Sequence, residues 1–242
     1  MGGHSHWATI KRHKSAVDAK RGKVFTRIIR ELTIAARSGG DPDGNPRLRL
    51  AIAKAKEANM PGDNMKKAIQ RGTGELPGVT YEEFTLEGYG PGGTAVLMEI
   101  TSDNRNRTVA EIRAKLSRGG GNLGSTNSVS FLFDRKGQIT VPTGGVSEDA
   151  VMEQVLEAGA EDLAMQDDQF VITTAPSELH AVKQALEASG LVATGAELAW
   201  LPMTSVKVEG ETAGQLLKLL EAIDDLDDVQ KVDANFDLDE SG

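Results

Sequence analysis

The order of periodic segments between residues 136 and 201 constrains the fold of this chain more than any other feature. A strand (Gln138 to Val141) precedes a helix (Glu148 to Ala158). Two short strands (about 162–166 and 169–174), a helix (Ser177 to Ser189) and a last strand (about 193–201) follow. The order β-α-β-β-α-β is that of a complete ferredoxin-like unit. It leaves the strands before it unpartnered: Tyr81 to Glu87 and Thr94 to Thr101 around a Gly-Pro turn, and Val129 to Phe133. Between these lie a helix from Arg105 to Arg118, with Val109, Ile112 and Leu116 as its apolar face, and a Gly-rich loop, Gly119 to Ser128. The tail can supply partners, with a strand near Ser205 to Val208, a helix at Ala213 to Ile223 and a strand at Val229 to Phe236. The ferredoxin-like unit is therefore expected as an insertion in a discontinuous domain.

The N-terminal third differs in period and in charge. Phe25, Ile28, Ile29 and Leu32 follow i, i+3, i+4, i+7 spacing and predict a helix over 15–38, closed by Gly39 and Gly40. Asn45 suits an N-cap and Pro46 the first turn of a second helix, 46–58. Pro61 opens a third helix expected to stop at Gly72. Residues 1–14 lack periodicity and read as an extended or weakly ordered arm. The expected architecture is α+β in three domains. These are a basic arm and helical domain (1–78), a discontinuous α+β domain (79–134 plus 203–242) and an inserted ferredoxin-like domain (135–202).

Residues 1–72 hold 16 Lys+Arg against 6 Asp+Glu, a net of +10, whereas the remaining 170 residues net −19. A segment of one sign on a chain of the other predicts a polyanion partner. At about 100° per residue, Lys20, Lys23, Arg27, Arg30 and Arg37 fall opposite the apolar face of the first helix. Lys11, Arg12 and Lys14 in the arm and Lys66, Lys67 and Arg71 on the third helix extend this basic set. Solvent-exposed faces normally mix signs, so phosphate binding is expected. Lysine and arginine alone favour backbone contact with little choice of sequence.

Other motifs are weaker. Gly88, Gly90 and Gly93 match G-x-G-x-x-G, but a strand rather than a helix follows, so a hairpin turn is expected. His4, His6, His13 and Trp7 allow metal binding, stacking on nucleic acid or no role at all. Asp41, Asp43 and Asn45 open like a calcium loop, but Pro46 and Ile52 stand where Gly and Glu are needed. Arg105 and Arg107 at a helix start either reach a phosphate or belong to a helix start capped by Ser102 or Asp103. The Gly-rich loop either lets backbone approach a ligand or is a flexible connector. Asp224, Asp225, Asp227 and Asp228 read as a solvent-exposed turn.

The absence of Cys excludes disulfides, thiolate catalysis and cysteine-based zinc sites. No apolar run approaches the roughly 18–20 residues of a membrane span, and no leader pattern opens the chain. A soluble, cytoplasmic protein with no membrane partner is expected. No Ser/His/Asp set or carboxylate pair is legible, which argues against the competing class, an enzyme acting on a phosphate-bearing ligand at the Gly-rich loops. No catalytic residue, metal site or cofactor is expected.

Several motifs together resemble the YebC family. They are Gly-His-Ser-His-Trp-Ala-Thr-Ile-Lys (3–11), Asp-Ala-Lys-Arg-Gly-Lys-Val-Phe-Thr (18–26), Asn-Pro-Arg-Leu-Arg (45–49) and Asn-Met-Pro-Gly-Asp-Asn (59–64). Gln-Arg-Gly-Thr-Gly (70–74), Glu-Gly-Tyr-Gly-Pro-Gly-Gly (87–93), Asp-Asn-Arg-Asn-Arg-Thr (103–108), Gly-Gly-Asn-Leu-Gly (120–124) and Ala-Asn-Phe-Asp (234–237) carry it to the end of the chain. His6 stands where the family usually has Lys, and Asn127 where Gly is common. The resemblance implies the same three-domain fold and a non-enzymatic role linked to nucleic acid. Family members are described as probable transcriptional regulators that bind DNA. Others, including the mitochondrial translational activator of cytochrome oxidase, act on the ribosome, which makes ribosomal RNA the alternative partner.

Overall fold

The computed structural model describes residues 19–144, 147–166 and 168–238. Three helices open it: α1 (Ala19–Ala35, extended by a 3-10 turn Ala36–Ser38), α2 (Pro46–Glu57) and α3 (Gly62–Thr73). Asn45 caps α2, its side-chain oxygen accepting the Leu48 N–H at 3.1 Å. The same side chain donates to the carbonyls of Ala35 and Gly39, which ties α2 to the end of α1. The core of this unit is alanine-rich, with Leu32, Ala35, Ala36, Ala51, Ala55 and Ala68 buried, so the helices approach closely.

That approach explains why α3 does not stop at Gly72 as expected. A Cβ at Gly72 would sit 2.2 Å from the Thr33 carbonyl oxygen and 2.6 Å from the Ala36 methyl. Gly72 is there for packing, and the helix ends one residue later at Thr73, capped by Gly74, whose φ of 84° is left-handed. Gly72→Ala is expected to cost about 1–3 kcal/mol by overpacking. Urea denaturation of the pair would measure it.

The strands β1 (Glu82–Tyr89) and β2 (Ala95–Ser102) form a hairpin, in register from Glu82 opposite Ser102 to Tyr89 opposite Ala95. A 3-10 turn, Pro91–Gly93, joins them, so the G-x-G-x-x-G letters mark a hairpin. Helix α4 (Arg105–Arg118) follows, then a two-residue strand β3 (Asn122–Leu123) on the outer edge of β1. From the tail come β8 (Val206–Val208), α7 (Gly210–Asp224), β9 (Val229–Ala234) and β10 (Phe236–Leu238). Strand β9 pairs antiparallel with β2, giving the sheet β3-β1-β2-β9. β8 instead pairs in parallel with β10. Helices α4 and α7 cover one face, burying Val96, Met98, Ile112, Leu116, Leu216 and Leu220.

Between these segments the chain runs β4 (Phe133–Pro142), α5 (Glu148–Glu157), β5 (Asp162–Gln166), β6 (Gln169–Thr174), α6 (Leu179–Ala188) and β7 (Gly195–Pro202). The sheet order is β5-β6-β4-β7, all antiparallel, as a ferredoxin-like unit requires. Val129 to Phe133 is not a strand of its own. A 3-10 turn, Ser130–Leu132, occupies most of it, and Phe133 opens β4, which pairs with β7 from Phe133–Pro202 to Thr140–Gly195. Trp200 on β7 donates its ring N–H to Glu99 on β2 at 2.9 Å. Lys231 on β9 donates to the Leu198 carbonyl at 2.9 Å and lies 3.2 Å from Glu197. These contacts orient one sheet against the other.

Candidate nucleic-acid interface

The basic stripe of α1 is not an open face. Lys23 lies 2.9 Å from Asp225, and Arg27 lies 3.5 Å from the Asp224 carboxylate while donating to the Asp224 carbonyl. Arg30 lies 2.8 Å from Asp228, donates to the carbonyls of Thr101 and Asp227, and stacks over the Tyr81 ring. Arg37 donates to the Tyr81 carbonyl at 2.6 Å. The turn after α7 thus supplies the carboxylates that the stripe's spacing fits. The expectation of a solvent-exposed acidic turn holds for Asp225 and Asp227 but is corrected for Asp228, which is only 6% exposed. The cause is the overall charge asymmetry itself: the acidic part of the chain reaches the basic part first.

Asp228 is a hub. Its Oδ2 accepts from Thr108 at 2.5 Å, Arg107 at 2.7 Å and Ser102 at 3.1 Å, and Oδ1 faces Arg30. Burial alone would push this carboxyl up. The bonds from Thr108 and Arg107, the charge of Arg30 and the Ser102 hydroxyl overcome that and hold it below the usual carboxylate range.

Arg107 also lies 2.7 Å from Asp103, and Arg105 lies 2.6 Å from Glu82 with its guanidinium 4.2 Å from the Phe84 ring centroid. Both arginines expected at a phosphate are therefore committed to carboxylates of the chain. The cap of α4 is Asn104, which accepts the Arg107 N–H at 3.1 Å, rather than Ser102 or Asp103. Ser102 accepts the Asn104 N–H one step earlier.

The third helix differs. Lys66, Lys67 and Arg71 are exposed on α3. Among the described residues no carboxylate forms an ion pair with any of them. Lys54 and Lys56 lie in the last turn of α2, and among the described residues they too lack such a partner. The two lysines of α2 were not singled out from sequence, because their helix carries no unbroken basic stripe. Lys11, Arg12 and Lys14 lie outside the described residues, and Lys20 falls in the first turn of α1.

The Gly-rich loop is neither a flexible connector nor an open cradle. A Cβ on Gly121 would lie 2.2 Å from the Tyr89 carbonyl oxygen, so this glycine lets the loop close on its own sheet. Glu87 on β1, 5% exposed, points into the loop. It accepts the N–H groups of Asn127 and Val129 at 2.7 Å and of Ser130 at 2.8 Å. Burial pushes this carboxyl up, and the three backbone donors more than reverse it, leaving it below its ordinary range. These bonds also explain why Val129 to Phe133 cannot begin as a strand: two of its N–H groups are spent on Glu87. Asn127, with φ of 63°, occupies the left-handed region that asparagine and glycine tolerate.

Residues 5–75 match the model described as TACO1/YebC protein N-terminal domain, and residues 81–236 match TACO1/YebC second and third domain. The chain belongs to the TACO1/YebC family. A relative from Gemmatimonas aurantiaca is 58% identical over 99% of this chain and 98% of its own length. One from Acidobacterium capsulatum is 57% identical over 99% and 98%. Each is named a probable transcriptional regulatory protein. The crystal structure of a conserved hypothetical protein from Aquifex aeolicus is similar to this TACO1/YebC chain at a TM-score of 0.89 and 48% identity, covering 98% of both. The names of these relatives are regulatory rather than enzymatic. Among the described residues no helix is long and apolar enough to cross a membrane.

Proposed function

We propose that this chain is a non-enzymatic regulator of gene expression that holds the backbone of a nucleic acid on α3 and the end of α2. The observation that carries this reading is the contrast between cations. Lys23, Arg27 and Arg30 of α1 and Arg105 and Arg107 of α4 face the chain's own carboxylates, whereas Lys66, Lys67 and Arg71 stand exposed with no such partner among the described residues. DNA is the polyanion that fits the relatives' regulatory name. The buried acids support a non-enzymatic role: Glu87 is occupied by three backbone donors and Asp228 by three side-chain donors and Arg30.

Ribosomal RNA is the second reading. Four of the five cations on α3 and the end of α2 are lysines, point charges that grip phosphate more than they read base edges.

The triple charge reversal Lys66→Glu, Lys67→Glu, Arg71→Glu is expected to lower nucleic-acid affinity at least about tenfold. It is also expected to flatten the slope of log affinity against log salt by roughly 2–3. Salt-titrated fluorescence anisotropy measures both. Unchanged affinity in the folded variant would refute the α3 site. Scrambled DNA sequences are expected to bind almost equally, and a specificity ratio of roughly a thousandfold or more would overturn backbone-directed binding. Co-sedimentation with ribosomes at physiological salt separates the RNA reading from the DNA reading.

A further inference from the structure

Residues 112–133 contain Arg113, Lys115 and Arg118 and no Asp or Glu, in a part of the chain (73–242) that nets −19. This acid-free stretch runs from α4 through the Gly-rich loop to the start of β4. It wraps around the β3 edge of the sheet, crossing from the helix-covered face to the face where Ala95, Leu97, Val129 and Phe133 are buried.

The loop is held at several points. The Gly121 N–H donates to the Leu116 carbonyl and that of Gly124 to the Glu87 carbonyl, each at 2.8 Å. The Tyr89 hydroxyl donates to the Ser128 carbonyl at 3.1 Å, and the Glu87 carboxylate holds three further amides. A buried charge is a costly way to shape a surface loop, and its effect is to fix what the loop displays. Displayed outward are Asn122, Ser125, Thr126, Asn127 and Phe131. Phe131 is 64% exposed, although Val129 and Phe133 on either side of it are buried.

A lone exposed apolar ring needs no explanation. Here the ring projects from a hydrogen-bonded 3-10 turn, at the end of a loop that also displays amide side chains, on a stretch of sequence that has cations and lacks acids. Arg113, Lys115 and Arg118 form no ion pair among the described residues. Base-stacking sites combine these same parts: an aromatic face, donors and acceptors for base edges, and positive charge for the backbone.

We infer that the loop from Asn122 to Phe131 is a contact surface for unstacked bases of a single-stranded nucleic acid. Phe131 stacks on a base, Asn122 and Asn127 meet base edges, and Arg118 meets phosphate. This rests on the nucleic-acid reading above and adds to it a second surface with a different ligand preference. The α3 cations grip any backbone, whereas this loop selects strands whose bases are free.

The test uses the full chain with four labelled probes of equal length: oligouridylate, oligothymidylate, an RNA duplex and a DNA duplex. Phe131→Ala is expected to lower single-strand affinity about tenfold. It should leave duplex affinity, the salt slope and the melting temperature unchanged, and Phe131→Tyr should restore single-strand binding. A difference between the two single strands assigns the ligand as RNA or DNA. Equal single-strand affinity in Phe131→Ala and wild type overturns this inference and leaves the α3 reading standing. Equal losses on single strands and duplexes also overturn it, because the ring would not be selecting free bases. Failure of the wild-type chain to bind any probe at low salt overturns both readings.

Discussion

Asp228→Ala is expected to cost about 3–5 kcal/mol of folding stability. The carboxylate ties together parts of the chain that are far apart in sequence: its own turn, Arg30 on α1, and the short segment from the end of β2 into α4 that carries Ser102, Arg107 and Thr108. Removing it leaves the Arg30 guanidinium, only 12% exposed, without its counter-charge, and strips two buried hydroxyls of an acceptor. Asp228→Asn keeps an oxygen for Thr108 but not the charge, so it should fall between alanine and wild type. Urea denaturation at neutral pH checks the order. A cost below about 1 kcal/mol for alanine would mean that the hub is only an exposed-type ion pair.

Glu87→Ala is expected to destabilise the protein by about 3 kcal/mol or more, because three backbone N–H groups lose a charged acceptor in one step. The loop should loosen with it, which hydrogen exchange at Val129 and Ser130 would report. The same carboxylate and Asp228 both contribute to the pH dependence of stability on the acid side. Both have folded-state pKa values held below their unfolded values. The unfolded chain therefore binds more protons between the two values, and stability rises with pH there. The contribution is fully present above the ordinary carboxylate range and is lost as pH falls through the depressed folded values. Glu87→Gln should remove the Glu87 share of this dependence, so its stability should decline less steeply on acidification than that of wild type. An unchanged acid slope in Glu87→Gln would show that the three amide bonds do not favour the ionised form.

Sequence by itself determined the elements whose causes are local. Asn45 and Pro46 mark the start of α2 because a cap and a fixed φ act within one turn. The bounds of α4 at Arg105 and Arg118 follow from its apolar spacing and the glycines after it. The β-α-β-β-α-β order is likewise local periodicity repeated, and it implied the inserted unit whose strand order the structure displays.

Tertiary structure decided which charges remain available. Arg30 and Asp228 are 198 positions apart, and no periodicity links them; only the docking of α1 against the turn after α7 brings their charges to 2.8 Å. A helical wheel identifies Lys23, Arg27 and Arg30 as a stripe but cannot say that carboxylates already occupy it. Glu87 reads as one polar residue of an alternating strand, and its capture of the Val129 and Ser130 amides turned an expected strand into a 3-10 turn. Gly72 and Gly121 look like a helix stop and a hinge, yet each marks a place where another backbone comes within 2.2 Å of a would-be Cβ. Local propensity acts over a few residues, whereas charge pairing and close backbone approach are set by the folded path of the whole chain.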